Sequence, residues 1–275
     1  MTQTHLRWIR MALPVDANWK NFLVREVHPL LESADNTGAI NQWYFECVYR
    51  RGPLFDVYLE TDSSAVHTIL RPLLQERFGH LASRRVHPNS LLESISPKFE
   101  IMPADIDEDC LTDLHVTSTQ IVASHGISTT GLTDCLTEIS AALHGIKCGP
   151  EWISAFAKTQ LGNWLDQYFH NRCTVDQIAD RQQHEAELMQ FLAQQPAIPK
   201  QALLHPKKAA WIEGFQDLFM LFDGETYIAN ALNQHIARYG LSPFQVAQMW
   251  LANIDEHNAD NIGASSTAAR AVSSL

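Results

Sequence analysis

Strand-type alternation is confined to the first hundred or so residues of this chain, and that asymmetry limits the fold more than any single motif. Side chains alternate across the two faces of a strand, so in GPLFDVYLE (52–60) Phe55, Val57 and Leu59 form one apolar row while Asp56, Tyr58 and Glu60 line the other. THLRWIRMALP (4–14) is also strand-like. INQWYFECVYR (40–50) is rich in aromatic and β-branched residues, and RRGP separates it from LFDVYLE as in a hairpin with a short loop.

Helical spacing surrounds these strands. Residues 16–31 carry Trp19, Phe22, Leu23, Val27, Leu30 and Leu31 at near-helical intervals behind a capping Asp16. Residues 61–78 return to the same periodicity, with Pro72 as an interruption point. Pro88, Pro97, Pro103 and an acidic run make 79–116 a crossing loop with one short strand, KFEIM. The rest reads as helices at 129–145, 150–170, 175–195, 200–222, 225–238 and 242–256. The expected class is therefore α+β: a small antiparallel sheet with flanking helices, followed by a mainly helical layer. Residues 1–258 are taken as a single domain and the small, polar 259–275 as a disordered tail. There is no internal repeat and no coiled-coil heptad run.

Charge and motif content narrow the function. Twenty basic residues against thirty-one acidic ones give a net charge of −11, which argues against nucleic acid as the primary ligand. The five cysteines, at 47, 110, 135, 148 and 173, form no C-x-x-C pair and read as reduced thiols. No signal-peptide pattern and no run of about 18 apolar residues occurs, so a cytoplasmic protein without a membrane partner is expected. H-E-x-x-H, H-x-H, G-x-S-x-G, G-x-G-x-x-G and the P-loop pattern are all missing. No metal, flavin or nucleotide cofactor is expected. HGISTTG (125–131) reads as a helix cap before an anion site.

Two polar segments remain. One is the hairpin with Trp43, Tyr44, Phe45, Tyr49, Asp56 and Tyr58. The other is LFDGETYIANALNQHIARYGLS (221–242), where Asn230, Asn233 and Gln234 share a helical face and His235, Arg238 and Tyr239 follow. Composition alone favours a plain polar helix surface capped at Gly240 for the second.

The order of these pieces resembles the C-terminal domain of class I lanthipeptide dehydratases, a module that also occurs as a free-standing enzyme in thiopeptide biosynthesis. The resemblance rests on Trp8, the helix ending HPLLES, INQWYFECVY, GPLFDVYL, AVHTILRPLLQERF and NQHIARYGLS, and spans about 5–256. Members that eliminate glutamate carry Pro-His-x-Arg-x-Arg where this chain has Pro53, Leu54, Phe55, Asp56, Val57 and Tyr58, so both arginines are replaced. In the family's C-terminal helix motif, Arg238 matches, Ala237 replaces an asparagine and Asn233 replaces a histidine. An aspartate in an arginine position repels a leaving carboxylate.

What the resemblance implies is therefore the reaction of the free-standing members. They join two dehydroalanines of a thiazole-bearing peptide in a formal 4+2 cycloaddition, then expel water and the leader peptide to leave a pyridine. Tyr58, Asp56, Asn233 and Tyr239 are the implied catalytic residues, and Trp43, Tyr49, Asn230, Gln234 and Arg238 the substrate-binding ones. The implied partners are the precursor peptide, as leader and modified core, and other biosynthetic enzymes. The alternatives are a non-catalytic subunit that binds the precursor, and the glutamate-elimination partner of a split dehydratase.

Overall fold

The computed structural model describes residues 6–14, 19–48, 54–62, 65–78, 98–101, 109–125, 131–172, 181–195, 198, 207–221 and 223–254. Contacts divide the chain into two compact units, one of residues 1–129 with 230–240 and one of 130–229 with 241–275. The expected tail at 259–275, and Tyr49, lie outside the described residues.

The first unit is built on a four-stranded sheet: β1 (Leu6–Pro14), β2 (Gln42–Val48), β3 (Leu54–Asp62) and β4 (Lys98–Ile101), in the order β2-β3-β1-β4. All pairings are antiparallel. Register follows from the alternation. Met11 and Phe45 both sit opposite Val57, and Ile9 and Trp43 both sit opposite Leu59, so the apolar side chains of three strands share one face. Ile9, Met11, Phe45, Val57 and Leu59 are almost completely buried there.

The helix after β1 opens at Trp19–Phe22 (α1), widens through a π-helical turn at Leu23–Val27 and continues as α2 (His28–Asn36). Pro29 directly follows the π-helical turn, where the His28 N–H reaches back to the Leu23 carbonyl and the ladder is already widened. The helix runs five residues past its sequence-predicted end, to a Schellman stop. Gly38 takes φ 69° and donates to Asp35, and Ala39 donates to Ala34. Leu23, Val27 and Leu31 form the buried stripe, and His28 meets Trp43 edge-on at 5.8 Å.

A second π-helical turn, Val66–Leu70, leads directly into α3 (Arg71–Phe78), so Pro72 lies just past a widened turn of a continuing helix, as Pro29 does. The next element corrects the sequence reading. Residues 109–116, taken as loop, open the helix α4 (Asp109–His125). Its inward residues Leu111, Leu114, His115, Ser118, Ile121 and Val122 have helical spacing, but a histidine and a serine occupy two turns of the stripe and hide it.

The second unit is helical: α5 (Gly131–Gly145), α6 (Pro150–Arg172), α7 (Arg181–Ala193), α8 (Lys208–Phe219), the start of α9 (Gly224–Tyr239) and α10 over residues 243–254. Trp211, Phe215, Leu218, Leu136, Ile139 and Trp250 are its buried core. Trp211 Nε1 donates to the Glu138 carbonyl at 3.3 Å and Gln216 Nε2 to the Gly145 carbonyl at 2.6 Å, tying α8 to α5. The last eleven residues of the sequence 224–240 belong with the first unit, and Gly240, at φ 56°, ends α9 as the sequence predicts.

Candidate functional site

The second face of the sheet is polar, and it is where the chemistry gathers. Register places Arg10 and Tyr44 on either side of Tyr58, and Ala12 and Glu46 on either side of Asp56. The acid and phenol row of β3 is thus flanked by a cation from β1 and by a phenol and a carboxyl from β2.

Aromatic rings form its floor. Tyr44 stacks on Tyr58 with centroids 4.5 Å apart and planes within 9°, on His115 at 5.3 Å, and meets Trp8 at 5.3 Å in a tilted pair. Stacked cross-strand aromatics hold both phenols in place. Arg10 donates from Nε and Nη2 to Asp56 Oδ2 at 2.9 and 2.6 Å. Asp56 is 1% exposed and the Arg10 side chain 34%, so the ion pair has one buried and one half-open end. Oδ1 of Asp56 has no hydrogen-bond partner among the described residues.

The Tyr58 hydroxyl donates to Glu46 Oε2 at 3.3 Å. Burial pushes the Glu46 carboxyl above the usual carboxylate range, against the pull of Arg238. Burial, then the neighbouring Glu46, raises both Tyr58 and Tyr44, so both phenols stay protonated and act as donors.

Behind Tyr44 lies a buried network around Arg238, which is 0% exposed. Its Nε donates to the Phe45 carbonyl at 2.7 Å, Nη1 to Ser118 Oγ at 3.0 Å and Nη2 to His115 Nδ1 at 3.1 Å. Thr119 Oγ1 accepts from the Phe45 N–H at 3.3 Å. β2 is an edge strand, so α4 and the end of α9 satisfy backbone groups that would otherwise be unpaired.

The donors also set the tautomer of His115. A guanidinium has no acceptor, so His115 Nδ1 carries a lone pair and its proton sits on Nε2. Ser118 Oγ accepts from Arg238 and is hydrogen-bonded to His235 Nδ1 at 2.8 Å. Burial, with help from Arg238, pushes His115 down to about 3, so the ring is neutral at physiological pH.

The sequence-predicted residues separate into groups. Tyr58 and Asp56 are together on the polar face. Trp43 projects to the opposite, apolar face. Asn230 and Asn233 are exposed on α9, and Gln234 is half-buried with a buried Oε1 that has no partner among the described residues. Asn233 lies on the far side of the helix from Arg238 by helical geometry. Tyr239 is buried with its ring edge-on to His235 at 5.3 Å, and Arg238 serves the protein's own backbone and side chains. Residues that sequence reasoning did not single out as site residues are Arg10, Glu46, Tyr44, His115, Ser118 and His235. Alternation along QWYFECV signals that Tyr44 and Glu46 share a face, whereas only strand register brings Arg10 beside them.

Among the described residues no three His, Cys, Asp or Glu side chains converge as a metal site requires, and no helix is long and apolar enough to cross a membrane.

No family model and no curated protein matches the chain in sequence. Solved structures do. The pyridine synthase TbtD from thiomuracin biosynthesis is similar with a TM-score of 0.57 and 16% identity, over 91% of this chain and 97% of that one. The tRNA-dependent lantibiotic dehydratase MibB from Microbispora sp. 107891 is similar with a TM-score of 0.54 and 14% identity, over 96% of this chain and 29% of that one. Likeness at these identities establishes the fold, and it is the fold that the sequence resemblance implied.

Proposed function

We propose that the protein is a peptide-modifying enzyme of thiopeptide- or lanthipeptide-type biosynthesis, joining two dehydroalanines of a precursor peptide by formal 4+2 cycloaddition and releasing water and the leader peptide. The observation that carries this reading is the half-buried Tyr58–Glu46 hydrogen bond on the polar sheet face, in a fold shared with nearly the whole length of a pyridine synthase. The reaction asks for positioned alkenes, a tautomerised amide and mild acid–base groups. Tyr58 supplies a hydroxyl that remains protonated, and the buried Asp56 on the same row holds Arg10 in place on this face.

Glutamate elimination fits less well. A leaving carboxylate needs a cation, but Arg10 is committed to Asp56 and Arg238 to buried acceptors.

The test is mass spectrometry of a dehydrated, azole-containing precursor peptide incubated with the purified protein. Cyclisation reads as loss of water with release of the leader, and Tyr58→Phe slows it on the order of 10²-fold. Glutamate removal from a glutamylated peptide would replace this reading with elimination. Peptide binding without either reaction would replace it with the binding-subunit role.

A further inference from the structure

We infer that Glu46 is the proton-transfer group of the polar face, and that Asp56, opposite it on the next strand, is its fixed electrostatic counterpart. The inference rests on reading this face as the catalytic one and goes further by dividing two carboxyls into two roles.

The division follows from their partners. Asp56 takes two hydrogen bonds from Arg10 on a single oxygen, inside the protein. Glu46 is half-buried and has no cation bonded to it; its hydrogen bond is from the neutral Tyr58 hydroxyl. Directly opposed carboxylates repel on a sheet, and here the Arg10 guanidinium bonds Asp56 while acting on Glu46 only from a distance. Paired acids in environments that push them apart are how one site holds a proton beside a permanent charge. The groups that act on Glu46 come from every neighbouring element. Arg238 of α9 and Arg10 of β1 favour its ionised form, as does the Tyr58 hydroxyl of β3, while Asp56 of β3 opposes it. Tyr44, its neighbour on β2, is flanked by the neutral His115 of α4.

A protonated carboxyl suits amide tautomerisation as a carboxylate does not. In one cyclic exchange its O–H proton passes to the amide oxygen while the amide N–H proton passes to its other oxygen. The N–H bond breaks, an O–H bond forms on the substrate, and the carboxylic acid is regenerated with no change in charge. The same acid protonates the hydroxyl that leaves as water and recovers a proton from a ring carbon as the dihydropyridine forms; when the ring aromatises, it lends that proton to the nitrogen of the departing leader amide and takes back the second ring proton. Asp56 takes both Arg10 hydrogen bonds on one oxygen and so sits on this face as an acceptor.

Infrared difference titration of the full chain reads this directly, through the C=O stretch of a protonated carboxyl. A carboxyl band persisting above the ordinary carboxylate range, and removed by Glu46→Gln, is expected. Its titration moves up in Tyr58→Phe, which deletes a hydrogen bond to the ionised form, and down in Asp56→Asn, which deletes a neighbouring negative charge. In the cyclisation assay Glu46→Gln loses on the order of 10²-fold in turnover, Glu46→Asp recovers part of it, and activity falls as pH rises through the wild-type titration. A band that survives Glu46→Gln, or that Asp56→Asn abolishes, overturns the assignment. Absence of cyclisation with the Glu46 band in place overturns the functional reading instead.

Discussion

Acid should destabilise this protein through His115, and by an amount the structure sets. The ring is buried against Tyr44, with Nδ1 accepting from Arg238, and its folded value is pushed from the ordinary 6.5 to about 3. The folded state therefore refuses a proton that the unfolded chain accepts. Stability from this group is fully present above about pH 6.5 and is lost as pH falls toward 3. Each pH unit in that window is worth about 1.4 kcal/mol, so at pH 5, about 1.5 units below the ordinary value, the loss is about 2 kcal/mol. Urea denaturation at pH 7 and pH 5 measures it, with His115→Asn as the control. The asparagine amide oxygen can still accept from Arg238, but the side chain does not titrate. Other groups contribute to the pH dependence of both proteins, including Glu46, whose raised value acts in the opposite direction, so the difference between the two proteins isolates His115. Wild type should lose about 2 kcal/mol more than the variant. Equal losses, within about 0.5 kcal/mol, would mean that the imidazole protonates in place at no cost, and the buried-network argument would fail.

Arg238→Met should orphan the Phe45 carbonyl and His115 Nδ1 at about 1–3 kcal/mol each, less the relief of no longer burying a guanidinium, for a net loss of about 2–4 kcal/mol in urea. A variant of unchanged stability that no longer bound peptide would return Arg238 to the substrate. Gly224→Ala should cost about 1–3 kcal/mol in thermal or urea unfolding, because its Cβ would lie 2.6 Å from the Leu218 carbonyl oxygen and 2.8 Å from that of Phe219, both backbone atoms. Trp211→Ala should cost about 3–5 kcal/mol by the same measurement, having removed a fully buried ring and its bond to Glu138.

Much of this was legible in the sequence where one physical signal dominated. Strand-type composition located β1 and β2 to within two residues, and period-two alternation located β3 and put Asp56, Tyr58 and Glu60 on one face, because strand geometry is local. Partnership across strands is not local. Arg10 and Asp56 are 46 positions apart and meet only through the β1–β3 register, so nothing in LRWIRMALP marks Arg10 rather than Arg7 for this role. α4 was hidden because residues that belong on a polar surface, His115 and Ser118, sit inside it as hydrogen-bonding groups. Arg238 stands out in the sequence only by its match to the family's helix motif, and its burial, with a carbonyl, a hydroxyl and an imidazole of the protein itself as acceptors, depends on contacts with α4 and β2 that are distant in sequence.

That burial connects the helix to the polar sheet face through the protein's own groups. Residue 45 presents its backbone N–H and C=O to the open edge of the sheet, where Thr119 and Arg238 take them up. Its neighbours on the strand, Tyr44 and Glu46, must then project from the polar face, since alternation leaves them no other direction. Clamping one peptide unit at the edge thereby fixes the phenol that stacks on Tyr58 and the carboxyl that accepts from it. The same guanidinium holds His115 in one tautomer, and the neutral ring closes the stack behind Tyr44. An arginine that a sequence pattern marks as functional can therefore act at a distance. It holds the sheet face in place, and fixed placement of acid–base groups is what the proposed cycloaddition would require.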